Sequence, residues 1–116
     1  MPFKPSESAL PLTPISFEIL LSLLDTELHG YAILQAVENR LRGKLPLRTG
    51  TIYRALARLL EEGLIERSER VPEDDPRRLN YRITEYGHET AKAEARRLAD
   101  QVEAARAHRL LPGTKR

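Results

Sequence analysis

The order of hydrophobic patterns along this chain is the feature that most constrains its fold. Four segments space their apolar residues as amphipathic helices do, and two alternate apolar with polar residues as half-buried strands do. The helical segments are predicted at about 14–25, 30–42, 49–62 and 84–108. The strands are predicted at 64–71 and 79–83, around a turn of Pro and acidic residues. The order α-α-α-β-β-α predicts a mainly α fold with one small β-hairpin.

Local start and stop signals support these predicted segments. Thr13-Pro14 is a typical helix start, because threonine caps a helix and proline lacks only an N–H that the first turn does not use. Gly43 and Gly63 follow the second and third helices, where glycine commonly ends a helix. Thr84 is the predicted N-cap of the last helix.

The last predicted helix is unusually long for such a small chain. At 1.5 Å per residue it spans roughly 36 Å, more than the small domain that it leaves. Its small and apolar residues recur at alternating steps of three and four, which is a heptad stripe. The sequence therefore predicts four regions: a flexible N-terminal arm at 1–12, a folded domain at 13–83, a long separate helix at 84–108 and a flexible tail at 109–116.

Composition excludes several classes of function. A chain of 116 residues provides one hydrophobic core, too small for a barrel or a two-domain enzyme. Cysteine is absent and the three histidines are scattered, so we expect no metal site, no cofactor and no catalytic residues. No apolar run reaches the roughly 20 residues of a membrane span, and the N-terminus lacks a signal peptide. We expect a cytoplasmic protein that does not bind membranes.

The charge is segregated along the chain although the formal net charge is only +2. Residues 39–60 contain six basic and no acidic side chains, and residues 77–82 contain three arginines and no acid. The intervening segment 61–76 is acidic. Three helices followed by a hairpin form a winged helix-turn-helix, in which the third helix enters the DNA major groove and the wing contacts the backbone or the minor groove. Both basic blocks coincide with these elements, which favours binding to double-stranded DNA.

The motifs also resemble a known family. They are His29-Gly30-Tyr31, Gly50-Thr51-Ile52-Tyr53-Arg54-Ala55-Leu56, Glu62-Gly63-Leu64-Ile65, Pro76-Arg77-Arg78 and Tyr81-Arg82-Ile83-Thr84-Glu85 with Gly87. In combination they resemble the PadR family of bacterial transcriptional regulators over about residues 14–87. The resemblance implies a homodimeric repressor of the short subgroup, with a single C-terminal dimerisation helix. It also implies a response to a phenolic or other aromatic small molecule.

The candidate DNA contacts are hydroxyl and cationic side chains on the third helix, its approach and the wing. They are Lys44, Arg48, Thr49, Thr51, Tyr53, Arg54, Arg58, Arg77 and Arg78. Arg54 is the best candidate for a base edge, because a guanidinium matches guanine O6 and N7.

Five of these candidates have competing structural roles. Thr49 could cap the third helix, and Tyr53 could be a half-buried core residue. Arg58 could pair with Glu61 or Glu62, and the wing arginines with Asp74 or Asp75.

The candidate dimer contacts lie on the first and last helices. They are Phe17, Leu21, Ala91, Ala95, Leu98, Val102 and Ala105. The last-helix stripe could instead pack on its own domain, and because it is rich in alanine it buries little area alone. A symmetric dimer would read a palindromic operator.

Two other functions fit the same sequence. One is a winged-helix module that binds protein through its acidic hairpin tip. The other is a ligand sensor with a cavity between the C-terminal helix and the winged domain.

Overall fold

The computed structural model describes residues 10–44, 48–68 and 79–112. It contains all six predicted elements and one further strand. The strand predicted at 64–71 is short within the described part of the chain. The helices are α1 (Pro14–Ser22), α2 (Gly30–Leu41), α3 (Thr49–Glu61) and α4 (Glu85–Ala107), and the strands are β1 (Leu28–His29), β2 (Ile65–Arg67) and β3 (Asn80–Ile83). The fold is mainly helical with a small antiparallel sheet, as the hydrophobic patterns predict.

Side-chain caps determine where three of the four helices begin. The hydroxyl oxygens of Thr13 and Thr84 accept the backbone N–H groups of Ser16 at 3.1 Å and Gly87 at 2.9 Å. Nδ1 of His29 accepts the N–H of Ala32 at 3.2 Å. These caps satisfy N–H groups that have no partner within the helix, so His29 has a structural role.

A single aliphatic core lies where α1, α2, α3 and the sheet meet. The core residues are the apolar positions that the helical and strand spacing places on the inward face of each element. Nine of them are at most 1% exposed: Ile19, Leu20, Ile33, Val37, Ile52, Leu56, Leu59, Leu64 and Ile65. Leu12 is also buried and Leu10 packs against this cluster, so the chain joins the core before α1 begins.

The sheet has a third strand that the sequence did not indicate. The strand order is β1-β3-β2, and both pairings are antiparallel. Leu28 pairs with Tyr81 and His29 with Asn80, although the segment between the first two helices was expected to be only a link. Two residues are too few to show an alternating pattern, and β1 exists because β3 supplies its partner.

The start of α4 packs tightly against Leu64, the residue directly before β2. A Cβ atom on Gly87 would overlap the carbonyl oxygen of Leu64 and lie 2.9 Å from Cγ1 of Ile83. The same Leu64 oxygen accepts the N–H of Thr84 at 3.1 Å. Only glycine therefore fits at this junction between the winged domain and the long helix.

Gly87→Ala is expected to destabilise the protein by at least about 3 kcal/mol, because a backbone oxygen cannot move aside as a flexible side chain can. Thermal unfolding by circular dichroism would show the loss as a lower midpoint. Gly50→Ala is the matched control, since its Cβ would meet only the flexible end of Arg54 at 3.3 Å. Equal midpoints for both variants would contradict the packing argument.

Glu94 is a buried carboxylate on α4 that holds the segment before α1. Its side chain is 2% exposed, and its Oε1 accepts the N–H of Leu12 at 3.3 Å. Arg97 donates to both carboxylate oxygens, at 3.0 and 2.7 Å. These hydrogen bonds from Arg97 lower the pKa of Glu94 despite its burial.

Glu94→Gln is expected to cost about 1–2 kcal/mol near neutral pH, because the charge-assisted hydrogen bonds are weakened. The folded-state pKa lies below the unfolded value of about 4.3, so the stabilisation is complete above that value and is lost as the pH falls through the folded pKa. Urea unfolding from pH 3 to 8 should show the two proteins converging at low pH. Glu89→Gln, at a side chain 51% exposed, should match the unsubstituted protein throughout, and a pH-independent gap for Glu94→Gln would refute the linkage.

The described residues hold neither a membrane-spanning helix nor a metal-binding cluster. Within them, no helix has both the length and the apolar character that crossing a membrane requires. In the same residues, no cluster of three or more His, Asp or Glu side chains could hold a metal ion.

Candidate nucleic-acid interface

Helix α3 separates an apolar face from a polar one. Ile52, Leu56 and Leu59 are at most 1% exposed and face the core. Tyr53 and Arg54, one and two positions after Ile52, therefore point outward, and both are exposed. The polar face is available to a ligand along the full length of the helix.

Tyr53 lies over Gly30 at the start of α2. A Cβ on Gly30 would be 2.8 Å from Cε1 of Tyr53 and 3.0 Å from its hydroxyl oxygen. The ring is still 44% exposed, so one side is fixed against α2 and the other faces solvent. Because Gly30 has no side chain, the ring of Tyr53 can pack against it, and this contact orients the tyrosine. The contact joins two helices, and sequence spacing alone does not reveal it.

The N-terminal end of α3 carries two hydroxyl groups. The helix begins at Thr49, its N-cap is Arg48, and no side chain caps it. The interpretation of Thr49 as the N-cap is therefore wrong, because the helix begins one residue earlier than that role requires. Thr49 is exposed and Thr51 is half-buried. The guanidinium of Arg54 extends back over Gly50, with Nη1 3.3 Å from the Cβ position of that glycine.

The cations of this region differ in how they are paired. Arg58 forms an ion pair with Glu62, with Nε 3.3 Å from Oε2, and the two side chains are 68% and 38% exposed. Within the described part of the chain, Lys44, Arg48 and Arg54 form no ion pair. Exposed ion pairs contribute little, so Arg58 is weakly held while the other three cations are available.

The wing is described only in part. Arg82 on β3 forms an ion pair with Glu66 on β2 at 2.7 Å, which links the two strands of the hairpin. It also pairs with Glu27, directly before β1, at 3.8 Å. Arg77, Arg78 and the acidic turn lie outside the described residues, so wing contacts with DNA stay a prediction.

Four of the seven predicted dimer residues line an apolar groove between α1 and α4. The groove has a volume of about 150 Å³ and is lined by Phe17, Leu21, Leu24, His88, Ala91, Lys92 and Ala95. Ala91 is only 6% exposed, because it packs on its own domain. Farther along α4, Leu98 and Ala105 are half-buried, and Val102 is 40% exposed. The stripe thus packs on its own domain at its start and is open to solvent farther on.

Comparison with solved structures finds the same fold in transcriptional regulators. A regulator from Clostridium thermocellum is 25% identical, with a TM-score of 0.70 over 80% of this chain and 87% of the other. A PadR-like regulator from Bacillus cereus is also 25% identical, with a TM-score of 0.64 over 86% and 93% of the two chains. PadR from Bacillus subtilis, solved in complex with operator DNA, is 24% identical and has a TM-score of 0.62 over 72% of this chain and 47% of the other.

A family profile matches well over half of the sequence. No curated protein matches it significantly. The profile described as "Transcriptional regulator PadR-like family" matches residues 19–93, which span the described helix-turn-helix, the sheet and the first part of α4. The chain therefore belongs to the PadR-like family of transcriptional regulators.

Proposed function

We propose that this regulator is a homodimeric repressor that binds a palindromic DNA operator through α3. The observation that carries the proposal is the exposed face of α3. On it, Arg54 forms no ion pair with any described residue and lies beside a tyrosine that packs against Gly30. As a binding protein it needs no catalytic residue and no cofactor, and its place is the cytoplasm, where its DNA is. The Bacillus subtilis relative solved with operator DNA supports this assignment.

The side chains divide by chemistry into readers and anchors. Arg54 provides a planar fork that fits guanine O6 and N7, and Tyr53 provides a hydroxyl and an apolar ring beside it. Lys44, Arg48 and the hydroxyls of Thr49 and Thr51 lie at or before the N-terminal end of α3, where phosphate oxygens are favoured. Arg58 reaches phosphate only when it leaves Glu62.

The stripe on α4 supports an antiparallel pairing with a second copy. A twofold axis at residue 100 places Leu98 opposite Val102 of the partner subunit and Ala95 opposite Ala105 of the partner subunit, so the stripe is complementary to itself. The residues that remain partly exposed in one protomer, Leu98, Val102 and Ala105, then form the contact.

In the same register, the partner subunit covers the groove between α1 and α4. Ala107, the last residue of α4, faces residue 93 across the axis, so the turn that follows brings Leu110 and Leu111 of the partner subunit to the end of α4 where Phe17 and Leu21 lie. These leucines are 75% and 40% exposed in the single chain, so the dimer covers apolar surface at both ends of the helix. We assign the groove to the second copy and not to an aromatic effector, because among its lining residues only Phe17 and His88 have rings.

Binding to the DNA upstream of its own gene tests the function. Fluorescence anisotropy at rising salt should show specific binding that weakens steeply, because bound cations release counterions from the phosphates. Absence of binding at low salt would overturn the proposal in favour of a protein-interaction module. A reporter driven by the bound promoter should become more active when the regulator is deleted, and a less active reporter would indicate an activator.

A further inference from the structure

Three charged side chains form a row across the outer face of the sheet. Arg82 lies on the central strand β3, and its partner on β2 is Glu66. The register between β1 and β3 places Glu27 opposite Arg82 on the other side. Tyr81 and Ile83 pack against the core, so the side chain between them faces outward, because side chains alternate along a strand. We call Glu27, Arg82 and Glu66 the charged row.

One guanidinium contacts both carboxylates of the charged row. Nε of Arg82 lies 2.7 Å from Oε2 of Glu66, and Nη1 lies 3.8 Å from Oε2 of Glu27. A guanidinium is planar and rigid, so these contacts fix the two carboxylates relative to each other across all three strands. The three side chains are 30% to 49% exposed. Exposed ion pairs add little to global stability, so the row acts on local geometry.

The strand that depends most on the charged row is β1. It consists of two residues at the edge of the sheet, and its neighbour in the strand order is β3 alone. So short a strand forms few hydrogen bonds with its neighbour. The contact between Glu27 and Arg82 extends the pairing by one position, on the face of the sheet that the core does not hold. The row therefore helps to keep β1 in register with β3.

β1 leads directly to the reading face of α3. His29 ends β1 and caps α2, because its Nδ1 accepts the N–H of Ala32 at 3.2 Å. Gly30 follows, and a Cβ at this glycine would lie 2.8 Å from Cε1 of Tyr53. Three positions thus separate Glu27 from the glycine against which the exposed tyrosine packs. A displacement of β1 shifts this close contact and with it the orientation of the tyrosine.

Charge alone would give Arg82 a different role. It belongs to the basic block at 77–82, which contains three arginines and no acid, and a cation on a wing is a candidate for a DNA phosphate. In the structure, however, the charged row holds two negative charges and one positive charge. A phosphate that approached Arg82 would also meet Glu27 and Glu66, so the guanidinium acts within the protein.

We propose that Arg82, held by Glu27 and Glu66, is a positioning residue for operator binding. It keeps β1 in register and thereby fixes the start of α2 and the ring of Tyr53 before DNA arrives. This inference rests on the proposed DNA binding through α3. A preorganised reading face loses less freedom on binding, so the benefit belongs to operator DNA, whose bases are read, and not to non-specific DNA.

Anisotropy with operator and scrambled DNA tests the role of the charged row. Glu27→Gln and Arg82→Gln should each weaken operator binding at least threefold and change binding to scrambled DNA less than twofold. The double variant should be no weaker than the weaker single variant, because both changes remove the same contact. Asp25→Asn is the matched control: Asp25 is exposed, forms no ion pair among the described residues, and its loss should not weaken operator binding.

The direction of the change in Glu27→Gln separates positioning from charge. Loss of a carboxylate makes the protein more positive, so charge alone strengthens binding to both DNAs. Unchanged or stronger operator binding by Glu27→Gln would therefore overturn the proposal. So would an Arg82→Gln variant that lost operator and scrambled DNA equally and showed a shallower salt dependence, because Arg82 would then contact phosphate.

Hydrogen exchange without DNA tests the structural link separately. The amide of Ala32, which donates to His29, should exchange at least threefold faster in Glu27→Gln and Arg82→Gln, and Asp25→Asn should not change it. The amide of Leu56, in the buried face of α3, should exchange at the same rate in all four proteins. Unchanged exchange at Ala32, or equal acceleration at Leu56, would refute a local positioning role. If the protein bound no DNA, the proposed function would fail while the exchange rates still decided whether the charged row holds the start of α2.

Discussion

Replacement of both Tyr53 and Arg54 by alanine is expected to abolish specific operator binding while the protein stays folded. Each base-edge contact contributes about 1–3 kcal/mol to discrimination, so two such contacts correspond to a loss of roughly 30-fold to 25,000-fold. The core should tolerate the change, because both side chains are exposed and neither belongs to the buried cluster. Anisotropy with operator and scrambled DNA measures the effect, and circular dichroism checks the fold.

Arg96→Ala is the control for loss of positive charge alone. Arg96 is exposed on α4, far along the chain from the helix-turn-helix, and its loss should leave specific binding nearly unchanged. If the double variant bound the operator with unchanged affinity, α3 would not be the reading helix. A variant that lost operator and scrambled DNA equally would assign the two side chains to the phosphate backbone.

Leu98→Glu combined with Val102→Glu is expected to yield monomers. In the antiparallel register each contact between these positions occurs twice, so the dimer would hold four carboxylates in an apolar seam, where unpaired charges are strongly unfavourable. Single protomers should keep their fold, because neither residue belongs to the buried core. Sedimentation velocity measures the change, and operator binding should weaken because the two half-sites are no longer read together.

The matched control places the same two charges elsewhere on α4. Ala104 and Ala107 are both exposed and lie away from the stripe, so Ala104→Glu with Ala107→Glu should leave the dimer intact. An intact dimer in the Leu98 and Val102 variant would place the interface on another surface. Monomers from both pairs would instead indicate a general destabilisation of the helix.

The parts of this fold that could be predicted are those governed by local rules. Thr13-Pro14 and Thr84 begin helices through their own side chains, and Gly63 ends α3 with a φ of +80°. The apolar face of α3 followed from spacing, since Ile52 and Leu59 are two turns apart. Such signals act within one or two helical turns, so no knowledge of distant partners is needed.

The unpredicted parts depend on contacts between residues far apart in the chain. Glu94 is an ordinary solvated acid by sequence, and its burial depends on the N–H that Leu12, 82 residues away, donates to it as well as on Arg97. α1 is predicted to reach residue 25 but ends at Ser22. There the backbone N–H groups of Leu23 and Leu24 donate to the carbonyls three residues back, Leu20 and Leu21, and not four back as in an α-helix. The contact between Gly30 and Tyr53 joins two helices, and nothing in the local sequence of either residue indicates it.

The short strand β1 has a consequence for exchanging parts between relatives. His29 is at once the last residue of β1, paired with Asn80 on β3, and the N-cap of α2. A hairpin transplanted from another regulator would therefore lack the β1 strand with which it normally pairs. The mismatch at His29 would also disturb the first turn of α2. The smallest unit that can be exchanged is the hairpin together with Leu28 and His29. A change of wing specificity therefore requires both segments of sequence to be exchanged at the same time.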